Sequence, residues 1–456
     1  MALDAATLAQ DTDAALLIAR MERVPSSRWH VIARVTMGSA TFFDAFNALS
    51  IAFVLPVLIP LWHIAKPQIG LMISSSYVGQ VIGALVFAWA AERWGRVRCA
   101  AAATAIFGVM SLACAFAWDF DSLLVARFIQ GIGVGGEMPV AAVYISELSR
   151  ARGRGKFFLL YEMIFPLGLM ATGQAGAFLV PWLGWKVMFL LGGVPALVIA
   201  LLLLRLPESP RWLIGRGRAA EAEAIVSRME HSATGPLPEP VVAAGPPPVS
   251  RRTGRWAELL APAYRFRTLV VWALWACAFM IANSLNNWMP TLYSTIYHLP
   301  LKEALRAASL TNVAQVALLL VAALLIDRTG RKQWMMGAFG LGGVLMAILA
   351  FGFTADVTMV IVLATLSYGL IGSINAVVYL YTPEIYPTRM RAIGTGVATS
   401  WLRIASAIGP TAVAYMLDLG GVASVFLMFT AVAVVGVGAS ALMIETRNRR
   451  LEDISG

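Results

Sequence analysis

Charged side chains are scarce in this 456-residue sequence: Asp, Glu, Lys and Arg together make up 13% of it. Ordinary soluble domains carry about a quarter, so a soluble enzyme and a disordered scaffold are both excluded. Cysteine is scarcer still. Cys99, Cys114 and Cys277 stand far apart with no CxxC spacing, which supports neither a disulfide framework nor a zinc site. The four histidines, His30, His63, His231 and His298, have no paired or HExxH spacing and are expected at helix ends or in loops, with no metal bound. No Walker-type loop and no nucleophile–base pair is present, so neither ATP-driven nor enzymatic chemistry is expected. The first 30 residues lack a short apolar core behind a basic start, and are expected to form a cytoplasmic tail (residues 1–30) rather than a signal peptide.

Apolar residues fill the space that charge leaves. They make up 59% of the chain, and the mean hydropathy is +0.74. Apolar runs occur at about 35–60, 68–91, 99–117, 122–146, 157–180, 186–205, 268–292, 305–326, 333–354, 357–383, 392–416 and 422–444. Each is long enough to cross ~30 Å of hydrocarbon as a helix. The pattern predicts an all-α membrane protein: a six-helix bundle over 31–205, a linker over 206–267, a second bundle over 268–445 and a tail over 446–456. Residues 236–250, PLPEPVVAAGPPPVS, are expected to be flexible or extended, and Ala219 to Met229 to form a short amphipathic helix.

The cations fix an orientation. Of 35 Lys and Arg, 29 fall in the tails, the linker and the loops that share a side with them, while Lys66, Lys186, Lys302 and Arg306 fall on the other. Positive charge resists translocation, so the basic side and both termini are expected in the cytoplasm. The net charge of +10 is then a topology signal rather than a nucleic-acid surface.

The two halves repeat. AERWGRVR at 91–98 corresponds to IDRTGRKQ at 326–333, and YISELSRARGRG at 144–155 to YTPEIYPTRMRAIG at 381–394, in the same order and orientation. At these motifs the chain resembles the major facilitator superfamily over essentially its full length. That resemblance implies two six-helix bundles related by a parallel pseudo-two-fold axis, alternating access, and a cavity lined by the first, fourth, seventh and tenth helices. RFIQGIGVGGEMPVAAVYISEL, PESPRWLI and IETRNRRLED are similar to the sugar-porter and organic-ion branch. FFDAFN at 42–47 and the YTPEIYPT stretch are closer to synaptic-vesicle-glycoprotein-type organic ion transporters, and within that group to bacterial niacin (nicotinate) transporters. The resemblance assigns gating to Glu92, Arg93, Arg96, Glu147 and Arg154 in the first half, and to Asp327, Arg328, Arg331, Glu384 and Arg391 in the second. There carboxylates and arginines would latch the bundles in one state and release them in the other. Glu92 stands where Asp is usual and Ala88 where Gly is usual, which would loosen the first-half latch. GIGVGG at 131–136 fits a nucleotide-binding pattern, but lies inside an apolar run, where Gly131 and Gly135 are expected to permit close helix contact.

Ionisable residues at bilayer depth are costly and therefore candidates for function. Asp44, Arg127, Glu137 and Glu162 form the candidate proton-coupling set. Asp44 and Asn47 lie three apart on the first span, and Arg127 on the fourth is the natural partner of Asp44, as a coupling pair or as a fixed packing bridge. In sugar porters the coupling Asp stands where Asn47 does here, which moves the proton role to Asp44. Glu137 and Glu162 are second protonation sites or gate residues. Arg403 on the eleventh span offers a forked donor to a carboxylate, or is a partner for Glu384 or nearby carbonyls. With Arg403, the candidate substrate residues are Asn47, Asn283, Asn286, Asn287, Trp288, Gln315, Asn375 and Tyr379. One Trp, several amides and one or two arginines suit a small flat aromatic carboxylate. The expected function is proton-coupled import of such an organic anion, nicotinate or a relative, with a sugar or other metabolite symporter, or a drug or metabolite exporter, as alternatives. No cofactor beyond the proton is expected. The expected setting is a bacterial inner membrane, with the bilayer and the small anion as partners, no nucleic acid, and a monomer.

Overall fold

The computed structural model describes residues 14–25, 27–148, 163–233, 235–240, 256–353 and 356–447, and among them it holds helices and no strand. Six long helices precede the linker: Arg28–Trp62, Lys66–Trp94, Arg96–Ala115, Phe120–Leu148, Ile164–Leu183 and Lys186–Leu203. After it come Arg265–Thr295, Leu301–Thr329, Arg331–Ile348 with a π-helical turn at Leu349–Phe353, Val357–Glu384, and Thr388–Ala441. The last of these runs for 54 residues, but Gly420 (φ −154°, ψ 20°) and Gly421 (φ 67°, ψ −157°) interrupt it. Unbroken, it would reach about 80 Å, far beyond the ~30 Å of a bilayer core. It is therefore two spans, the eleventh and twelfth, joined by a two-glycine turn. The count of twelve holds.

Local chemistry sets the turns. Gly95 (φ 103°) and Gly330 (φ 89°) each separate two spans by a single residue, in a region of φ that a side chain disfavours. They occupy equivalent places in the two repeats. A left-handed His63 closes the first span, its N–H bonded to the Ile59 carbonyl.

Glycine also sets the tightest helix contact. Gly79 and Gly83 on the second span lie against Phe128 and Ile132 of the fourth, while Gly131 and Gly135 of the fourth lie against Ser76 and Gln80. A Cβ at any of the four would overlap a backbone carbonyl oxygen of the facing helix. The GIGVGG run thus serves close packing, as its spacing predicts.

The linker segment adds two short helices, Pro210–Gly215 and Ala219–His231. The N-terminal segment, expected to be a plain tail, carries a helix over residues 14–23. Leu17, Met21 and Val24 bury against Trp212, Ile225, Val226 and Met229. Arg20 and Arg23 both grip Glu230, at 2.8 and 2.7 Å. These contacts lie on the side of the molecule that carries residues 14 and 447, called here the terminal side.

Candidate functional site

A cavity of about 660 Å3 lies between the two bundles. Of the residues predicted to serve transport, Asp44, Asn283, Asn286, Asn287, Gln315, Asn375, Tyr379 and Arg403 line it. Four others do not: Asn47, Trp288, Arg127 and Glu137 are buried inside the bundles. Helix geometry explains two of these. Asp44 and Ala48, four apart, both face the cavity, and Asn47 is turned about 60° away from Asp44 at 3.6 residues per turn. Its amide donates to the Gly192 and Phe43 carbonyls and accepts from Gln130, tying together the first, fourth and sixth spans. Asn283 and Asn287 likewise share a line, whereas Trp288, one residue on, points away and donates its indole N–H to the Pro410 carbonyl at 3.0 Å. Glu162 and Arg154 lie outside the described residues.

Arg127 is not bonded to Asp44. Its guanidinium donates to the Asn47 and Ala48 carbonyls, at 2.9 and 3.4 Å, and to Gln130 at 2.6 Å. Carbonyl lone pairs of the neighbouring helix take its two terminal nitrogens, so the expected Asp44–Arg127 pair is replaced. Glu137, in the same bundle, accepts from Thr41 at 3.0 Å. Asp44 lies within electrostatic reach of Glu137 and, across the cavity, of Arg403. The Oδ1 of Asp44 and the Nε of Arg403 are buried and make no hydrogen bond among the described residues. Glu384 is bonded to Arg331 and Thr446 instead of Arg403.

The amides are largely committed to each other and to tyrosines. Asn286 donates to Asn312 and to Tyr368, which donates on to Gln315, crossing the seventh, eighth and tenth spans. Asn287 donates to Tyr77 of the first bundle at 3.1 Å, and Asn283 to Ser406. Tyr77, Gln80, Phe279 and Tyr368 also line the cavity and were absent from the predicted set. A signal for Tyr368 was present: 368, 372, 375 and 379 continue one helical stripe. Apolar side chains such as Phe165, Leu169, Met138 and Leu319 complete the wall.

The motifs expected to gate form matched clusters. Arg96 bonds Glu147 at 3.0 Å and Glu92 at 2.8 Å, and Arg331 bonds Glu384 at 3.3 Å. All three ion pairs sit within their own bundle, not between bundles. Arg93 lies over the Trp89 ring at 6.0 Å; the side chains of Asp327 and Arg391 are outside the described set. Two further carboxylates, missed as functional, complete the pattern. Glu208 of PESPRW accepts from the backbone N–H groups of Arg96 and Val97 at the start of the third span. Glu445 of IETR does the same for Arg331 and Lys332 at the start of the ninth. Helix N-termini favour such anions. Burial pushes the Glu208 carboxyl above its ordinary range, against the pull of the N–H groups it accepts.

Side-chain contacts between the bundles gather opposite the terminal side. They include Lys66–Asp418 (3.3 Å), Ser74–Thr411, Asn287–Tyr77, and the cations Lys302 and Arg306 over Trp182 and Phe178. The cavity wall, by contrast, continues to Met163, Ile326 and Arg331 near the terminal side. The cleft is closed on the far side and extends toward the terminal side.

The sequence matches the family model for the sugar (and other) transporters over residues 20–456. The niacin transporter NiaP of Acinetobacter baylyi is 31% identical over 449 residues, covering 96% of this chain and 99% of that protein. The 4-hydroxybenzoate transporter PcaK of the same organism is 28% identical, covering 86% of this chain and 85% of its own length. The synaptic vesicle 2-related protein of Xenopus laevis is 26% identical over 92% of this chain. The xylose transporter XylE of Escherichia coli, in a partially occluded inward-open conformation, superposes with a TM-score of 0.70, at 20% identity over 93% of this chain and 100% of that one. Twelve spans in two repeated bundles, matched Arg–Glu clusters and a cavity between the bundles are thus joined by full-length sequence similarity: the chain is a multi-pass membrane transporter of the sugar (and other) transporter family, within the major facilitator fold.

Proposed function

We propose that the chain is a proton-coupled importer of a small aromatic monocarboxylate, nicotinate or a close relative. One observation carries this reading: a carboxylate, Asp44, and an arginine, Arg403, come from opposite bundles to the same cavity wall. A carboxylate substrate would take the Arg403 fork in a bidentate pair. A proton on Asp44 would remove the competing anion from the same arginine, so that substrate and proton load together. Tyr379 and Phe279 line the wall and supply flat apolar surface for an aromatic ring. NiaP and PcaK, two similar proteins, are named for aromatic monocarboxylates. The excess of cations on the terminal side supports a cytoplasmic setting for it, and the described cleft would then face inward. By analogy with the bacterial relatives the chain would reside in an inner membrane, and no cofactor beyond the proton is required.

The cavity amides favour sugar as the second reading, but their mutual bonding leaves few of them to read hydroxyls. Uptake of labelled nicotinate, 4-hydroxybenzoate and arabinose into proteoliposomes with an imposed proton gradient separates the two. Gradient-dependent accumulation of an aromatic acid supports the proposal, and accumulation of the sugar alone overturns it. Gradient-driven efflux rather than uptake would make the protein an exporter.

A further inference from the structure

A second pocket, of about 540 Å3, opens at the terminal-side end of the second span and is lined by Trp89, Glu92, Arg93, Trp94 and Arg216. It is built from two elements far apart in sequence, the end of one span and the first helix of the linker segment. Trp89 and Trp94 meet edge to face at 5.5 Å, yet remain 59% and 54% exposed. Arg93 lies over the Trp89 ring, and Arg216 lies over Trp212 while donating to the Glu92 carbonyl. Neither arginine is in an ion pair with a described residue. The one carboxylate in the wall, Glu92, is held by Arg96, which Glu147 shares. Within the wall itself, two arginines therefore stand against one carboxylate. Above the pocket the second span presents Val78, Ile82, Leu85 and Val86 outward on one continuous stripe that ends at Trp89.

We propose that this pocket binds the headgroup of an anionic phospholipid, with Arg93 and Arg216 on the phosphodiester and the apolar stripe carrying an acyl chain. Indole rings sit at the boundary between hydrocarbon and headgroups because one end is apolar and the other donates a hydrogen bond. Two guanidiniums converging beside such a boundary form a basic headgroup site, whereas a soluble anion would have no use for the stripe. The lipid bridges the gating loop and the linker segment at the carbonyl of Glu92, the residue whose side chain holds Arg96. Its presence would brace the Arg96 cluster in the arrangement described. This proposal is independent of the substrate.

The intact protein in nanodiscs of phosphatidylcholine with increasing phosphatidylglycerol provides the test. Native mass spectrometry should show one phosphatidylglycerol retained after other lipids are stripped, and R93Q/R216Q should weaken that retention roughly thirty-fold, the effect of two basic side chains at a bilayer surface. R93K/R216K should keep most of it. Brominated phosphatidylglycerol should quench the tryptophan fluorescence of the unaltered protein at lower mole fraction than brominated phosphatidylcholine, a readout that needs no variant. Equal quenching by the two lipids, or equal retention by the unaltered protein and R93Q/R216Q, overturns the proposal. Displacement of the retained lipid by millimolar inorganic phosphate would also overturn it, assigning the pocket to a soluble anion.

Discussion

Single side chains divide the work of the cavity between charge and shape. Asp44→Asn keeps the shape and removes the titration. Gradient-driven accumulation should fall to background in this variant while exchange of labelled for unlabelled substrate continues, measured in the same proteoliposomes. Accumulation at the original level would remove Asp44 from the coupling scheme. Arg403→Gln removes a charge-assisted bond worth about 1.5–3 kcal/mol, so KM for the carboxylate should rise roughly ten- to a hundred-fold. The corresponding amide, nicotinamide, should gain in relative preference. Most of the polar cavity residues were legible in the sequence, because a polar residue at bilayer depth stands out against an apolar run. The errors were angular. Asn47 and Trp288 lie one position away from residues that do face the cavity, and a list of polar residues carries no rotation about the helix axis. Tyr77 and Tyr368 were passed over because an aromatic ring in a span reads as ordinary apolar surface until its hydroxyl is seen to find Asn287 or Gln315.

Helices and their ends were legible to different degrees. The glycine contact between the second and fourth spans follows from small residues four apart, but only on the fourth did the spacing attract attention; Gly79 and Gly83 on its partner complete it. Gly131→Leu should disrupt both backbone approaches and cost at least about 1–3 kcal/mol as an overpacked core. The checks are a lower thermal midpoint in detergent and reduced monodispersity. The docked helix over 14–23 was not foreseen, because ten residues of mixed polarity carry no decisive period. It is held partly by Glu230, whose carboxyl is 13% exposed. Burial works against the ionised form, but the Arg20 and Arg23 guanidiniums outweigh it and hold Glu230 below its ordinary value of 4.5. The stability this lends is therefore complete above pH ~4.5 and is lost as the pH falls through the lowered value. Hydrogen exchange over 14–23 should accelerate in acid, and Glu230→Gln should reproduce that acceleration at neutral pH.

The whole molecule is asymmetric about the membrane midplane in a way no loop or motif announces. Duplicated motifs announce the two-bundle plan, yet which end of the cleft is shut depends on contacts between residues more than 100 positions apart, such as Tyr77 with Asn287. The Lys66–Asp418 pair is half exposed on both sides and by itself contributes little, about 0.2–1 kcal/mol. It does mark where the bundles meet. Cysteines placed at both positions and joined by a short bifunctional thiol reagent should arrest transport in the described state, with recovery when a cleavable reagent is reduced. Unimpeded transport after complete cross-linking would show that the far side never opens there.

The wall of the central cavity carries Asp44 as its one carboxylate among the described residues. With one proton carried on Asp44 and a singly charged cargo, each turnover of the proposed cycle would carry a cation and an anion inward together, with no net current. A voltage across the membrane, which acts with about 2.3 kcal/mol per charge per 100 mV on an electrogenic carrier, would then do no work on this one. Accumulation would follow the pH difference alone and be blind to a potassium diffusion potential.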